Sequence, residues 1–403
     1  MAKTQTLTFK RTVKAPPSEV YRAFTNSTAL RDWFSDGALS EPRKGGRVYF
    51  WWNDGYYASG EFTGMTAGKK VAFTWHGRGE PGASKVQVSL AGKDGGTTVR
   101  VSHVFGSGKV WAKTAKEIAH GWERALENLQ SVLETGQDQR FTLRPMLGVS
   151  GGDEITPGSA AQEKLPVEVG VRLNGTVEGM GAQAAGLGKG DIIVGIGGRK
   201  VVGWSSLIAA LQSHRAGDKV KVVYYRGGKK ETATMELSRR PLPEVPDTAA
   251  GLADFVRKLY ADFDAELAKC FAGVTEAEAT YQPAPGEWSA KEVLSHLVQG
   301  ERDNTSYLAD AIQGTERLYD GNLDNSLLRT RVVADAFSTA QKMLEELTNL
   351  EAESMAMIAG LPPEFVARKG SFWRYAYGYT QAHTHNDEHL HQIKAAIEAA
   401  RKK

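Results

Sequence analysis

Hydrophobic and polar positions follow two different periods along the chain. Up to residue 245, short segments alternate between apolar and polar residues and are separated by glycine turns, a pattern typical of antiparallel strands. This part holds 35 of the 44 glycines. From residue 246 onward, apolar residues recur every three or four positions, which predicts helices. We therefore expect a β-rich front and a helical back.

Two boundaries divide the chain further. The proline-rich segment 239–248 (RRPLPEVPDT) disfavours helix, so it predicts an extended connector. Residues 114–136 carry a helical stripe of apolar side chains that ends at Gly136. Together these features predict a multidomain protein with domains over residues 1–140, 141–245 and 246–403. A length of 403 residues agrees with more than one core.

Composition and charge exclude several classes of protein. No run of eighteen apolar residues is present, so no membrane span is expected. The net charge is only +3, too small an excess for a nucleic-acid binder. The single cysteine, Cys270, excludes an internal disulfide, and the first sixteen residues predict a strand and not a signal peptide. We expect a cytoplasmic protein with no nucleic-acid or membrane partner.

The first domain is predicted as a strand, short helices, several hairpins and a long helix. This order, with Ala15-Pro16, Trp33-Phe34, Gly45-Gly46 and Gly121-Trp122, resembles the α+β helix-grip fold of the SRPBCC/START-like superfamily, in the branch of the activator of the Hsp90 ATPase. The resemblance implies a cavity for a small hydrophobic ligand. Its candidate wall residues are Trp33, Trp52, Trp75, Trp111 and Trp122. The alternative is that these rings simply fill the core.

The second domain contains the segment AAGLGKGDIIVGIGGRKV at 184–201, which resembles bacterial, HtrA-like PDZ domains and predicts a β-rich fold. The resemblance implies that a protein C-terminal peptide is added as a strand. The implied carboxylate loop and side-chain pocket comprise Met146, Leu147, Gly148, Val149, Leu207, Ile208 and Leu211. The alternative is a domain that only joins its neighbours. No GxSxG motif supports a serine protease.

The third domain is predicted as an all-α four-helix bundle, with helices over 251–275, 286–312, 327–350 and 379–403. Ser289 and Glu292 form a capping-box pattern at the start of the second helix. At about 100° per residue, His385 and His389 share the apolar face of the fourth helix, while His383 and His391 point away. A buried imidazole pair needs partners for its nitrogens, and a metal ion supplies one.

This pattern resembles the DinB-like superfamily through Trp288-Ser289, His296-Leu297 and the segment HNDEHLHQI at 385–393. The resemblance implies that His296, His385 and His389 bind a divalent metal, Zn or Ni, with Glu388 near the edge of the site. HNDEH also fits the H-x-x-E-H pattern of zinc peptidases, but only fourteen residues remain after His389 to supply a third ligand. We reject that alternative.

The resemblances together imply a stress or detoxification-type protein. The metal site would support a thiol-dependent transferase that joins a low-molecular-weight thiol to small electrophiles, with Cys270 excluded as the thiol because it lies on an apolar helix face. The alternative function is a non-enzymatic adapter or co-chaperone-like binding protein.

Overall fold

A computed structural model describes residues 3–316 and 326–403 of the chain. Contacts between Cα atoms group Met1–Asp138 with Pro243–Lys403 in one compact unit, and Gln139–Leu242 form a second unit. The first and last of the three predicted domains therefore share one unit, although they are separated in sequence by the second.

The N-terminal part of the first unit is a seven-stranded antiparallel sheet that packs against a long helix. The strands are β1 (Thr4–Val13), β2 (Gly37–Ser40), β3 (Arg47–Trp51), β4 (Tyr57–Thr66), β5 (Lys70–Gly77), β6 (Ser84–Lys93) and β7 (Gly96–Gly106), in the spatial order β1-β7-β6-β5-β4-β3-β2. The helices are α1 (Pro17–Thr25), α2 (Ser27–Trp33) and α3 (Ala112–Thr135). The helix-grip prediction is confirmed.

The alternation of residues in the strands and their spacing in the helices determine which side chains form the core of this part. In β7, alternate residues from Thr97 to Phe105 are buried and the residues between them are more exposed. In α3, Ile118, Trp122 and Leu126 are buried at four-residue spacing. The helix ends at Gly136, whose φ of 81° is the left-handed conformation that glycine adopts without strain. The predicted stripe and its end are confirmed.

His103 is a buried polar residue of this core, with both ring nitrogens satisfied. Its Nε2 lies 2.8 Å from Oγ of Ser84, and its Nδ1 accepts a hydrogen bond of 3.1 Å from Nε1 of Trp122. Nε2–H therefore donates to Ser84 and the ring is neutral. Burial lowers the pKa of His103 to about 4.

We expect His103→Gln to reduce the acid sensitivity of this unit. Between pH 6.5 and pH 4 the unfolded chain binds a proton at His103 that the folded chain does not. The free energy of unfolding therefore decreases as the pH is lowered through this range. The loss attributable to His103 is about 2 kcal/mol at pH 5. Urea unfolding at pH 7 and pH 5 measures it. His76→Gln, at an exposed histidine, should keep the wild-type pH dependence; an unchanged slope in His103→Gln contradicts the assignment.

The second unit is built on a β-sheet with short helices. Its strands are β8 (Pro145–Met146), β9 (Gly152–Ile155), β10 (Gly170–Leu173), β11 (Ile192–Ile196), β12 (Arg199–Lys200), β13 (Lys219–Arg226), β14 (Lys229–Glu236) and β15 (Ser238–Arg239). Its helices are α4 (Gln139–Thr142), α5 (Pro157–Glu163), α6 (Gly181–Ala184) and α7 (Trp204–Gln212). The main sheet has the order β14-β13-β11-β10-β9, so β9 is an edge strand.

Asp191 fixes the glycine-rich turn before β11. Its Oδ2 accepts a hydrogen bond of 2.8 Å from the backbone nitrogen of Gly188, and its carboxylate also accepts from Arg226. Gly186 and Gly190 adopt positive φ angles of 77° and 88° in the same turn. The PDZ-like prediction for this region is confirmed.

The C-terminal part of the first unit is helical. Its helices are α8 (Ala249–Phe271), α9 (Glu276–Ala279), α10 (Ala290–Gln313), α11 (Leu327–Ala336), α12 (Ala340–Ala359), α13 (Pro363–Val366) and α14 (Lys369–Arg401). The capping box of Ser289 and Glu292 is present at the start of α10. The prediction of one helix over 327–350 is wrong, because Thr339 caps a new helix whose Lys342 amide donates to its side chain. Helix α14 also begins ten residues earlier than the predicted 379.

Helix α14 joins the two parts of the first unit through a buried ion network. Arg374 donates from Nε to Asp32 in α2 at 3.0 Å, and from Nη1 and Nη2 to the Glu316 carboxylate at 2.9 and 2.8 Å. Ser371 also donates to Asp32, at 2.5 Å. Gly370 permits this contact, since a Cβ there would lie 2.4 Å from Cγ1 of Val132. Paired buried charges of this kind depend on each other for stability.

A second buried polar cluster lies within the bundle core. Tyr260 in α8 donates to the carboxylate of Glu301 in α10 at 2.9 Å, and Ser354 in α12 donates to it at 2.8 Å. Glu351, also in α12, is 2% exposed, and its Oε2 has no hydrogen-bond partner among the described residues. A buried, unpartnered carboxyl oxygen is expensive to keep ionised.

Candidate metal centre

Three histidines from two helices converge at one end of the bundle. One nitrogen from each of His296, His385 and His389 lies within 4.8 Å of the others. The Nε2 atoms of His385 and His389 are 3.0 Å apart. Two nitrogens bound at about 2.1 Å to one tetrahedral ion lie about 3.4 Å apart, so this spacing fits a shared metal. The three side chains could therefore hold a metal ion, as the sequence predicts.

The local sequence explains this arrangement. The capping box at Ser289 starts α10 so that His296 lies two turns along it, and the ring of Trp288 packs 5.4 Å from the His296 ring. His385 and His389 are one turn apart on α14. The sequence predicts that these two histidines share one apolar face of α14. Of the two, His389 is buried and His385 is exposed.

Hydrogen bonding and burial favour the neutral form of His389 and direct its Nε2 atom toward the other two histidines. Its Nδ1 lies 2.8 Å from Oε1 of Gln392, so Nδ1–H donates and the Nε2 lone pair faces the other histidines. Burial, more than the neighbouring histidines, lowers the pKa of His389 to about 4. The ring is therefore neutral at pH 7, the form in which imidazole binds metals. The role of Gln392 was not predicted from the sequence.

The two further histidines of α14 have different positions. His391 is exposed and outside the cluster, as predicted. The predicted outward direction of His383 lies outside the described residues. Cys270 is half-buried in α8 and packs against an apolar core cluster, and burial raises the pKa of its thiol.

A cavity of about 560 Å³ opens beside the three histidines. Glu388 lines it together with all three histidines, Gln392 and Trp288. The side chain of Glu388 is exposed at the cavity, and no ion-pair partner for it is present among the described residues. Glu388 therefore lies near the predicted ligands, where its carboxylate can accept a proton or a hydrogen bond.

Four of the five tryptophans predicted as cavity walls meet around Phe34. The Phe34 ring lies 4.9–6.3 Å from the rings of Trp33, Trp52, Trp75 and Trp122. Trp111 packs elsewhere, 5.4 Å from Phe105. The sequence marked the tryptophans as walls, but it gave no signal that Phe34 would fill the space between them. Ligand binding there stays a prediction.

The predicted peptide-binding residues lie near the edge strand β9. Gly148 has a φ of 79°, Leu147 is buried, and Val149 forms a bridge with Thr176. Met146 forms part of β8 and pairs with Ser238. On α7, Leu207 is in the core, Leu211 packs at its margin and Ile208 is 46% exposed. An edge strand beside a helix is the arrangement to which a peptide strand adds.

The start of α7 is bound directly to β9. The backbone nitrogen of Trp204 donates to Oε1 of Glu154 at 2.6 Å, and its indole nitrogen donates to the carbonyl of Gly152 at 3.3 Å. Neither Glu154 nor Trp204 was selected from the sequence.

Fold and site together define a three-module protein whose helical module carries a three-histidine centre. Three family models match consecutive parts of the chain: Activator of Hsp90 ATPase homolog 1-like protein over residues 14–134, PDZ domain over 147–237 and DinB superfamily over 259–393. The predicted order of modules is confirmed. No helix in the described ranges has the length and hydropathy needed to span a bilayer.

Individual relatives match parts of the chain. The "Serine protease Do-like HtrA" of Lactococcus lactis subsp. lactis is 40% identical over 100 residues, which are 24% of this chain and 24% of that protein. A "Probable periplasmic serine protease do/HhoA-like" of Haemophilus influenzae is 29% identical over 109 residues, or 27% of this chain and 22% of that protein. The chain spans about a quarter of the length of the curated relatives it matches.

Solved structures are similar over about a third of the chain. An HSP90 activator from Plasmodium falciparum is 23% identical with a TM-score of 0.29, covering 32% of this chain and 96% of that one. The Aha1 dimer from Colwellia psychrerythraea is 21% identical with a TM-score of 0.29, and the similarity covers 32% of this chain and 96% of that one.

Proposed function

We propose that the DinB-like module is a metal-dependent transferase that joins a low-molecular-weight thiol to small electrophiles. The observation that carries the proposal is the convergence of His296, His385 and His389 at one side of a cavity. A divalent ion there, Zn or Ni, would lower the pKa of a bound thiol so that it is nucleophilic at neutral pH. Low-molecular-weight thiols and electrophiles of this kind fit a cytoplasmic protein.

The residues of the chain have separate roles in this reaction. Gln392 holds His389 in the tautomer that directs Nε2 to the site. The thiol proton passes to the Glu388 carboxylate or to water. The sulfur electron pair forms a bond to the electrophilic carbon, and the leaving group departs with the electrons of the bond that breaks. The cavity brings both molecules together, which supplies proximity.

The other two modules would supply binding. The helix-grip module would bind a small hydrophobic ligand, and the PDZ module would bind a protein C-terminus at β9. If the metal centre has no turnover, the same features support the second candidate, an adapter or co-chaperone-like protein. The buried ion network of Arg374 favours it, because it fixes a ligand-binding fold to the bundle.

Metal analysis tests the centre. We expect His389→Ala to bind Zn²⁺ or Ni²⁺ about 100-fold more weakly than the wild type, since even loss of a residue that only orients a ligand costs 10–100-fold. His391→Ala is the matched control, because His391 is an exposed histidine on the same helix. Elemental analysis and competition with a chelator measure binding. Full metal retention in His389→Ala would count against the three-histidine site.

A thiol-consumption assay then separates transferase from adapter. Metal-loaded protein is incubated with an alkyl halide or an epoxide and a panel of thiols, and loss of free thiol is followed. We expect turnover in the wild type and in His391→Ala, and none above background in His389→Ala. Metal binding without turnover across the panel supports the adapter.

A further inference from the structure

The charges that line the cavity beside the three histidines are all negative apart from any charge on the imidazoles. Glu388 contributes one carboxylate from α14, and Glu287 contributes a second from the turn before α10. Both side chains are exposed, and neither has an ion-pair partner in the described part of the chain. None of the described residues that line the cavity is lysine or arginine.

The position of Glu287 is fixed by the fold. Gly286 has a φ of 88°, and the backbone nitrogen of Glu287 donates to the carbonyl of Ala284 at 3.1 Å, which forms a tight turn. The next residue, Trp288, packs against His296, so this turn is attached to the predicted metal ligand. Glu287 and Glu388 thus reach the same cavity from different segments.

The neighbouring cations are engaged elsewhere. Lys291, which is nearest to Glu287 in sequence, pairs with Glu276 at 2.5 Å. Arg401 at the end of α14 donates to Glu278 at 2.9 Å, and Nζ of Lys403 lies 5.0 Å from the centre of the Tyr281 ring. Lys394 pairs with Glu266 at 3.9 Å. The two carboxylates at the cavity are therefore left for a ligand.

From this arrangement we infer that the cavity selects a cosubstrate that carries an ammonium group, an aminothiol, and rejects thiols that carry a carboxylate. This inference rests on the proposed function and names its substrate class. The charges balance for an aminothiol: the thiolate offsets one charge of a divalent ion, and the ammonium group would enter a cavity lined by two carboxylates and by Trp288. A carboxylate-bearing thiol would add a third negative group at the same place, which is unfavourable.

The first experiment compares three small thiols on Co²⁺-loaded protein: cysteamine, 2-mercaptoethanol and 3-mercaptopropionate. Absorbance of the cobalt–thiolate bond reports binding without any turnover. Because these thiols differ in acidity, the selectivity is read as the change between variants. We expect Glu287→Gln to reduce the preference for cysteamine over 3-mercaptopropionate by about threefold, and Glu287→Lys to reduce it by about tenfold or more.

Asp387→Asn is the matched control. Asp387 is an exposed carboxylate on α14 beside Glu388, but it does not line the cavity. It should keep the wild-type preference. If Glu287→Lys leaves the preference for cysteamine over 3-mercaptopropionate unchanged from the wild type while Co²⁺ is bound, the inference is wrong and the proposed metal centre stands.

The second experiment does not require a metal. Metal-free protein is titrated with 2-phenylethylamine and with 3-phenylpropionate, and the indole N–H signal of Trp288, assigned with Trp288→Phe, is followed by NMR. We expect about tenfold tighter binding of the amine, reduced about threefold in Glu287→Gln. Equal or reversed affinities overturn the inference. A protein that binds the amine but no Co²⁺ would retain the cation-selective cavity and lose the proposed transferase function.

Discussion

We expect Arg374→Met to destabilise the unit formed by Met1–Asp138 and Pro243–Lys403 by about 3–5 kcal/mol. The Arg374 side chain is 15% exposed, and its partners Asp32 and Glu316 are 6% and 0% exposed. Methionine fills a similar volume but leaves Asp32 without its cation and Glu316 with only the 3.5 Å ion pair to Arg31. An uncompensated buried charge costs more than the intact pair contributes, so the loss is large.

The measurement uses urea unfolding followed by tryptophan fluorescence. Eight of the nine tryptophans belong to this unit, and a Trp204→Phe background removes the signal of the other one. Arg257→Met is the matched control, because Arg257 pairs with the exposed Asp254 and should lose less than about 1 kcal/mol. A loss below 1 kcal/mol in Arg374→Met would contradict a joining role for this network.

We expect Glu351→Gln to stabilise the protein at pH 9 by about 6 kcal/mol, at about 1.36 kcal/mol for each pH unit above the ordinary pKa of Glu351. Burial and the negative charges of Asp264 and Glu301 raise the pKa of Glu351 to about 10. The folded chain therefore keeps a proton that the unfolded chain releases above about pH 4.5. The stability contribution of Glu351 is complete below that pH and is lost as the pH rises toward 10. Glutamine resembles the protonated acid and does not titrate.

Unfolding free energies at pH 5, 7 and 9 measure this effect. The gain in Glu351→Gln should be near zero at pH 5 and largest at pH 9. Glu353→Gln, at an exposed position on the same helix, should stay within about 0.5 kcal/mol of the wild type at every pH. A gain that does not change with pH would show that Glu351 is not protonated in the folded chain.

Local features of the fold were predictable because a few neighbouring residues determine them. The stripe of α3 and its end at Gly136 follow from spacing and from one left-handed glycine. The capping box at Ser289 follows from two residues, and it fixes the position of His296. The match to three family models follows from motifs that are compact in sequence.

Long-range features were not predictable from the same patterns. Arg374 and Asp32 are 342 positions apart, so no local spacing relates them. The helix predicted from residue 379 begins at Lys369, and this earlier part of α14 packs in a unit where α14 contacts α2 and α3. The sequence predicts that His296, His385 and His389 lie together, and the structure brings one nitrogen of each within 4.8 Å of the others. The hydrogen bond of Gln392 to His389 and the place of Glu287 at the cavity depend on how two segments meet.

The backbone leaves the larger unit after Asp138 and re-enters it at Pro243. The intervening 104 residues are therefore a domain inserted into the larger unit, which we call the host, and we call the inserted domain the guest. A protease nick within the guest would sever the polypeptide, yet the host would remain joined by the Arg374 ion network and by the hydrogen bond from Lys369 to the carbonyl of Glu134. We therefore expect the two segments of the host, Met1–Asp138 and Pro243–Lys403, to associate when they are expressed as separate chains.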